Sequence, residues 1–231
     1  IGMMLTPESQ IASELERAVE LGFPVSIHAI GDRANRICLD LFEEMRSRGV
    51  EPPVIPHRIE HVQLLDDADL SRLSQLGITA SMQPAHILDD MDTADAYLGE
   101  KSRIAYRLKS LLDQRTALAF GSDAPVSDVN PFYGIHRAIY RQRPDRMERG
   151  VWHEQECLDL ESTLRAYTLG AAEAAGWGRL TGSLQPGKRA DLCVLDRNLF
   201  DLVSAGVKRD EISSTKVSMT LFDGEIVHGP R

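Results

Sequence analysis

His28, His61 and Asp123 are the residues whose types and placement could do chemistry here. Each falls at the end of a strand candidate: the apolar run Phe23 to Ile27 leads into His28, "HRIEHVQ" carries His61, and "TALAFGSD" ends on Asp123. A core strand gains nothing from an imidazole or a carboxylate at its mouth. Two neutral imidazoles and a carboxylate suit a divalent cation of borderline softness such as zinc, nickel, iron or manganese. Taken singly, each residue has an ordinary reading, because most polar groups near a core find a local hydrogen-bond partner. Asp123 alone could cap the turn after its strand. The pattern gains weight by recurring at several strand ends. His86, in "QPAH" after another strand, is a candidate substrate or oxyanion contact, set against an ordinary loop histidine. Asp32 and Arg33 read as the start of a helix, where an aspartate needs no further reason. His57, His136, His153 and His228 read as structural.

Those residues need elements to hold them. Thr6-Pro7-Glu8 opens a helix with a hydroxyl cap, a proline and an acid near the positive end of the dipole. Ile11, Leu15, Ala18 and Val19 keep its spacing, and Gly22 stops it. A second helix carries Ile37, Leu41 and Met45 on one face and closes at Gly49 and Pro52-Pro53. Strands are expected at His57–Gln63, Gly77–Pro84 and Thr116–Asp123, and helices from about Asp66 to Leu76, near Lys101–Leu112, at Pro131–Tyr140 and at Leu160–Ala175. A longer loop precedes Lys101. Strand and helix in alternation mean βα units around a parallel sheet, an α/β fold. In a parallel α/β barrel the carboxyl ends of the strands share one face, where active sites sit, so residues distant in sequence converge.

After Gly182 the pattern changes. "ADLCVLD" is a strand, and Lys216–Gly229 is a hairpin turning at Asp223-Gly224. The expected division is therefore a barrel portion over residues 1–182 and a small all-β segment over 183–231.

A net charge of −9 over 231 residues argues against a nucleic-acid groove, which needs a basic face. No apolar stretch approaches the roughly 20 residues that cross a bilayer. Cys38, Cys157 and Cys193 are widely spaced and form no CxxC pair, as expected of buried thiols in a reducing compartment, the cytoplasm. The opening "IGMMLTPES" carries neither an initiator methionine at position 1 nor a signal-peptide pattern, and reads like the middle of a longer protein.

"SIHAIGDRA", "HRIEHVQ", "ITASMQPAH", "FGSDAPV" and "GSLQPGKRADLCVLD" together resemble the amidohydrolase superfamily, in particular its YtcJ-like branch, over nearly the whole chain. The resemblance implies a metal-dependent hydrolase of non-peptide C–N bonds (amide, N-formyl or cyclic amide) acting on a small molecule. It implies the C-terminal half of a TIM-type (β/α)8 barrel, strands five to eight, plus a segment of a small β-sandwich. It assigns His28 to the fifth strand, His61 to the sixth and Asp123 to the eighth, all three as ligands of a divalent metal, zinc before the others, as one ion or two. Asp123 would also carry the proton from the attacking water to the leaving group. The family's His-x-His on the first strand, and the lysine or acid common on its fourth, have no counterpart here. The expected partners are accordingly a missing N-terminal half or a second copy of the chain, with no nucleic acid and no membrane. An amidohydrolase-fold deaminase and a non-catalytic scaffold are the alternatives.

Overall fold

The computed structural model describes residues 3–49, 54–204 and 211–230. Helix α1, Glu8–Glu20, begins with Pro7 as its cap and makes no side-chain cap hydrogen bond, so Thr6 does not play the capping part expected of it. Proline's fixed φ already matches the cap geometry, and Glu8 supplies the favourable charge in the first turn. Strand β1, Ser26–Ala29, is followed by α2, Asp32–Ser47, which buries Ile37, Cys38, Leu41, Phe42 and Met45 against the sheet. The expected stop at Pro52-Pro53 lies outside the described residues.

Strand β2, Arg58–His61, leads through a short turn capped by Asp66 into α3, Arg72–Leu76. That helix ends on Gly77, whose φ of 69° is the left-handed cap glycine adopts without penalty. Strand β3, Thr79–Met82, is followed by α4, Ile87–Leu98, where the sequence suggested a loop. The reason is tertiary. Only Ile87, Leu88 and Met91 of α4 are buried. Its carboxylates are met from another segment instead: Asp89 pairs with Arg137 at 2.8 Å, Asp92 with Arg146 at 3.1 Å and Asp95 with Arg149 at 2.6 Å. An acidic stretch that reads as solvated loop is thus held as a helix by distant arginines.

Helix α5, Leu108–Asp113, precedes β4, Leu118–Phe120, and α6, Pro131–Tyr140, follows with Asn130 accepting from the Phe132 amide. The expected Leu160–Ala175 helix is α7, Leu160–Arg165, and α8, Ala171–Ala174, joined by a wider turn over Ala166–Gly170. Strands β1 to β4 form one parallel sheet in sequential order, β1-β2-β3-β4. Ile59, Ala80, Met82 and Phe120, all at most 5% exposed, project from it into the main core with Leu39, Leu73 and Leu108.

The second sheet is antiparallel and holds β5, Leu192–Leu195, β6, Val217–Phe222, and β7, Glu225–His228. Asp223 and Gly224 have φ of 51° and 86°, as a tight hairpin turn between two right-twisted strands requires. A smaller core of Phe132, Ile135, Ile139, Leu160, Leu199 and Ile212, with Leu195 and Val217 against it, fastens this sheet to α6 and α7. Among the described residues no helix is long and apolar enough to cross a membrane.

Candidate functional site

Register decides which strand residues share a face. His28 lies opposite Glu60, and Glu60 opposite Ser81, so these three point to the same side of the sheet. Ile27, Ile59, Ala80 and Leu118 form the alternate, apolar row. The polar row is tied together: Ser26 donates to Glu60 at 2.5 Å and Arg58 Nε donates to it at 2.7 Å. Burial alone would raise the Glu60 carboxyl, but hydrogen bonds from Ser26, Ser81 and Arg58 outweigh it and hold Glu60 below the usual range.

Strict alternation would separate His28 from His61, because His61 pairs with Ala29, one position further along. The backbone prevents that. His61 and Val62 both have positive φ, 77° and 43°. The reversal lets Val62, fully buried, fill the core position that alternation would have given to His61. It leaves the His61 ring with its centroid 4.5 Å from that of His28, at 73°. Left-handed conformations at non-glycine residues cost on the order of 1–3 kcal/mol each and persist where the surroundings over-determine them. Their position at a strand mouth, beside a second imidazole, marks this as the candidate site.

Further polar groups gather around the pair. His61 Nδ1 is 2.8 Å from Gln83 Oε1, with both residues buried. The His86 ring stacks on His61 at 6.5 Å and 21°, and its buried Nε2 has no hydrogen-bond partner. Asp123, also at positive φ, 58°, is exposed in the turn after β4, where the Val126 amide donates to its carbonyl at 2.8 Å. Partial desolvation and the adjoining His61 ring push His28 below the ordinary imidazole range, while Asp123 and Glu60 pull it the other way. A hollow of about 290 Å³ is lined by Ala85, which precedes His86 in the chain, by Val126, Ser127 and Asp128, which follow Asp123, and by Asp89, Tyr133 and Arg137.

The fold therefore brings His28 and His61 together, adds His86 beside them, and sets Asp123 within electrostatic reach of His28. Among the described residues, no three His, Cys, Asp or Glu side chains stand close enough to hold a metal ion between them. The donor chemistry nonetheless fits a divalent ion: a neutral imidazole is the ligating form, and two of them make half of a four-coordinate shell. Asp32 is not the cap expected of it: the cap of α2 is Gly31, without a side-chain hydrogen bond, and Asp32 in the first turn accepts from the Arg33 amide at 2.9 Å and from Lys101 at 2.7 Å. His57 is structural too, accepting from the Val25 amide at 3.0 Å. Gln83 and Glu60 were not singled out in the sequence. The signal for Gln83 was available, since it directly follows its strand as a polar residue ahead of Pro84. Glu60 becomes visible only once the register places it beside His28.

Comparison with known proteins bears on this geometry. The pattern of the Amidohydrolase family matches residues 1–228. "Protein LONG AFTER FAR-RED 3" of Arabidopsis thaliana is 35% identical over 92% of this chain and 36% of its own length. "Putative amidohydrolase YtcJ" of Bacillus subtilis is 27% identical over 98% of this chain and 41% of its own length. "N-substituted formamide deformylase" of Arthrobacter pascens is 27% identical over 97% and 40% respectively. The chain thus spans well under half the length of these relatives. Among solved structures, an uncharacterized metal-dependent hydrolase from Pyrococcus horikoshii superimposes with a TM-score of 0.71 at 31% identity, over 85% of this chain and 38% of that one.

Proposed function

Because this chain belongs to the Amidohydrolase family, we propose that it carries the His28 and His61 portion of the metal centre of a hydrolase acting on non-peptide C–N bonds. Amides, N-formyl amines and cyclic amides are the substrate class. The observation that carries this reading is the pairing of two imidazoles at 4.5 Å by a strand end that reverses its backbone to achieve it. His28 and His61 would hold the ion, zinc or a similar divalent metal, with Asp123 at its edge. When bound, such an ion would polarise a carbonyl oxygen and bring the pKa of its water down to roughly 7.

The remaining work falls to this chain's own groups. Asp123, exposed and carrying acceptor oxygens, takes the proton of the attacking water and returns it to the departing amine, as one carboxylate can do in sequence. His86 contacts the substrate oxygen through its partnerless Nε2. The hollow at Val126 and Tyr133 receives the substituent on the nitrogen. The parallel sheet is the second half of a (β/α)8 barrel, strands five to eight, within residues 1–182, and residues 183–231 belong to a β-sandwich segment. The strictly sequential strand order and the partial coverage of the relatives support that division. The first half, or a second copy of the chain, supplies the remaining ligands.

Zinc retained after dialysis, measured by plasma mass spectrometry, tests the site. His28→Ala and His61→Ala should each lose most of the bound ion, whereas Asp123→Asn should keep it. In the full-length protein, Asp123→Asn should lower hydrolysis of an N-formyl amine panel by about 100-fold or more, the usual worth of a positioned acid–base group. A full-length protein that retains no divalent ion sinks the proposal. Ammonia released from heterocyclic amines, with no hydrolysis of N-acyl or N-formyl amines, would convert it to a deaminase.

A further inference from the structure

We propose that Gln83 is a positioning residue that fixes which nitrogen of His61 carries the proton, and thereby which one is free to bind a cation. The role for the free nitrogen rests on the metal reading above; the tautomer itself does not. Gln83 leaves β3 just ahead of Pro84, on the strand adjacent to the one that ends in His61. It is 6% exposed and His61 is 8% exposed, so neither can turn to solvent for a partner.

The amide is held at both ends. Its Oε1 lies 2.8 Å from His61 Nδ1, and its Nε2 donates to the Ser81 carbonyl at 3.4 Å. A carbonyl oxygen only accepts, so His61 must donate, which places the proton on Nδ1 and leaves the lone pair on Nε2. The opposite tautomer would set a nitrogen lone pair against an oxygen at 2.8 Å. Turning the amide over does not relieve this, because Gln83 Oε1 would then face the Ser81 oxygen. Each alternative leaves a buried polar group unpaired.

The consequence reaches the neighbouring ring. His61 is held by a strained backbone and by Gln83, and it packs edge-on to His28. Its proton-free nitrogen is therefore presented without a search over tautomers. An acceptor on the far nitrogen also increases the donor strength of the ligating one, and the loss of such a partner typically costs 10- to 100-fold in metal affinity.

Nitrogen-15 NMR on the metal-free chain at pH 8 decides the matter, with the His61 ring signals identified by their loss in His61→Ala. The expected wild-type pattern is that of a neutral Nδ1–H imidazole. Gln83→Leu should shift His61 towards the Nε2–H form and weaken zinc binding by about 10- to 100-fold. Gln83→Glu keeps an acceptor for His61, although its second oxygen then meets the Ser81 carbonyl, and should keep the Nδ1–H pattern. A wild-type His61 in the Nε2–H form overturns the proposal, as does an unchanged tautomer in Gln83→Leu. Should Gln83→Leu fail to fold, the wild-type and Gln83→Glu spectra still decide it. An Nδ1–H His61 in a full-length protein that takes up no zinc would uphold the tautomer and end the metal reading instead.

Discussion

His57 shows what a histidine does in this molecule away from the strand mouths. Its Nδ1 accepts the Val25 amide at 3.0 Å, and its ring lies 5.1 Å from that of Phe42. Burial lowers its pKa below the ordinary imidazole value. The sign follows directly. The neutral form is the one the folded chain prefers, so its contribution is complete above the unfolded pKa of about 6.5 and is lost as pH falls through the lower folded value. Protonation would also turn an acceptor into a donor facing a donor. Urea unfolding of wild type and His57→Gln from pH 8 to pH 5 should therefore show wild type losing stability more steeply. Parallel pH profiles for the two proteins would remove His57 from the explanation. At this scale the sequence distinguishes histidines poorly. His57 and His61 lie four positions apart in one strand motif, and only the hydrogen-bond partner and the backbone reversal tell a core imidazole from a candidate ligand.

At the scale of elements, the turn between α7 and α8 packs closely against the backbone of β4. A methyl group added at Gly170 would lie 2.1 Å from the Leu118 carbonyl oxygen, a backbone atom of β4 that cannot rotate away. Gly170→Ala should push this helical segment off the strand and cost about 1–3 kcal/mol, in the range of other overpacked sites. Urea denaturation would measure it, and a loss below about 0.5 kcal/mol would mean that the helix slides freely. The strands themselves were legible, because each is a short segment rich in β-branched or apolar residues between helical patterns. Helix α4 was not, since its four aspartates look like solvated loop until Arg137, Arg146 and Arg149 arrive from some fifty residues on. The wider turn over Ala166–Gly170 was likewise invisible, being imposed by contact with β4 rather than by local propensity.

For the molecule as a whole, the order β1-β2-β3-β4 leaves β1 and β4 outermost. Outer strands offer unpaired backbone groups to another chain. Light scattering on the purified chain should show a dimer or larger species, or a complex once an N-terminal barrel half from the same family is added. A well-folded monomer at high dilution that ignores the added half would count against the half-barrel. Alternating βα units and the motifs at their ends made the α/β class legible, because each unit writes its own period into the sequence. The meeting of His28 and His61 was legible only as a shared rim. Their actual approach depends on positive φ at His61 and Val62, which no side-chain pattern announces.

The polar row of Ser26, His28, Glu60 and Ser81 has a consequence for any such closure. A second half settling over hydrocarbon would expel solvent and leave a dry interior. Settling over hydroxyls, a carboxylate and an imidazole, it would instead enclose a small reservoir held by hydrogen bonds. The hydrolysis proposed above would consume one water per turnover, and this lining would keep that reactant in store on the inside.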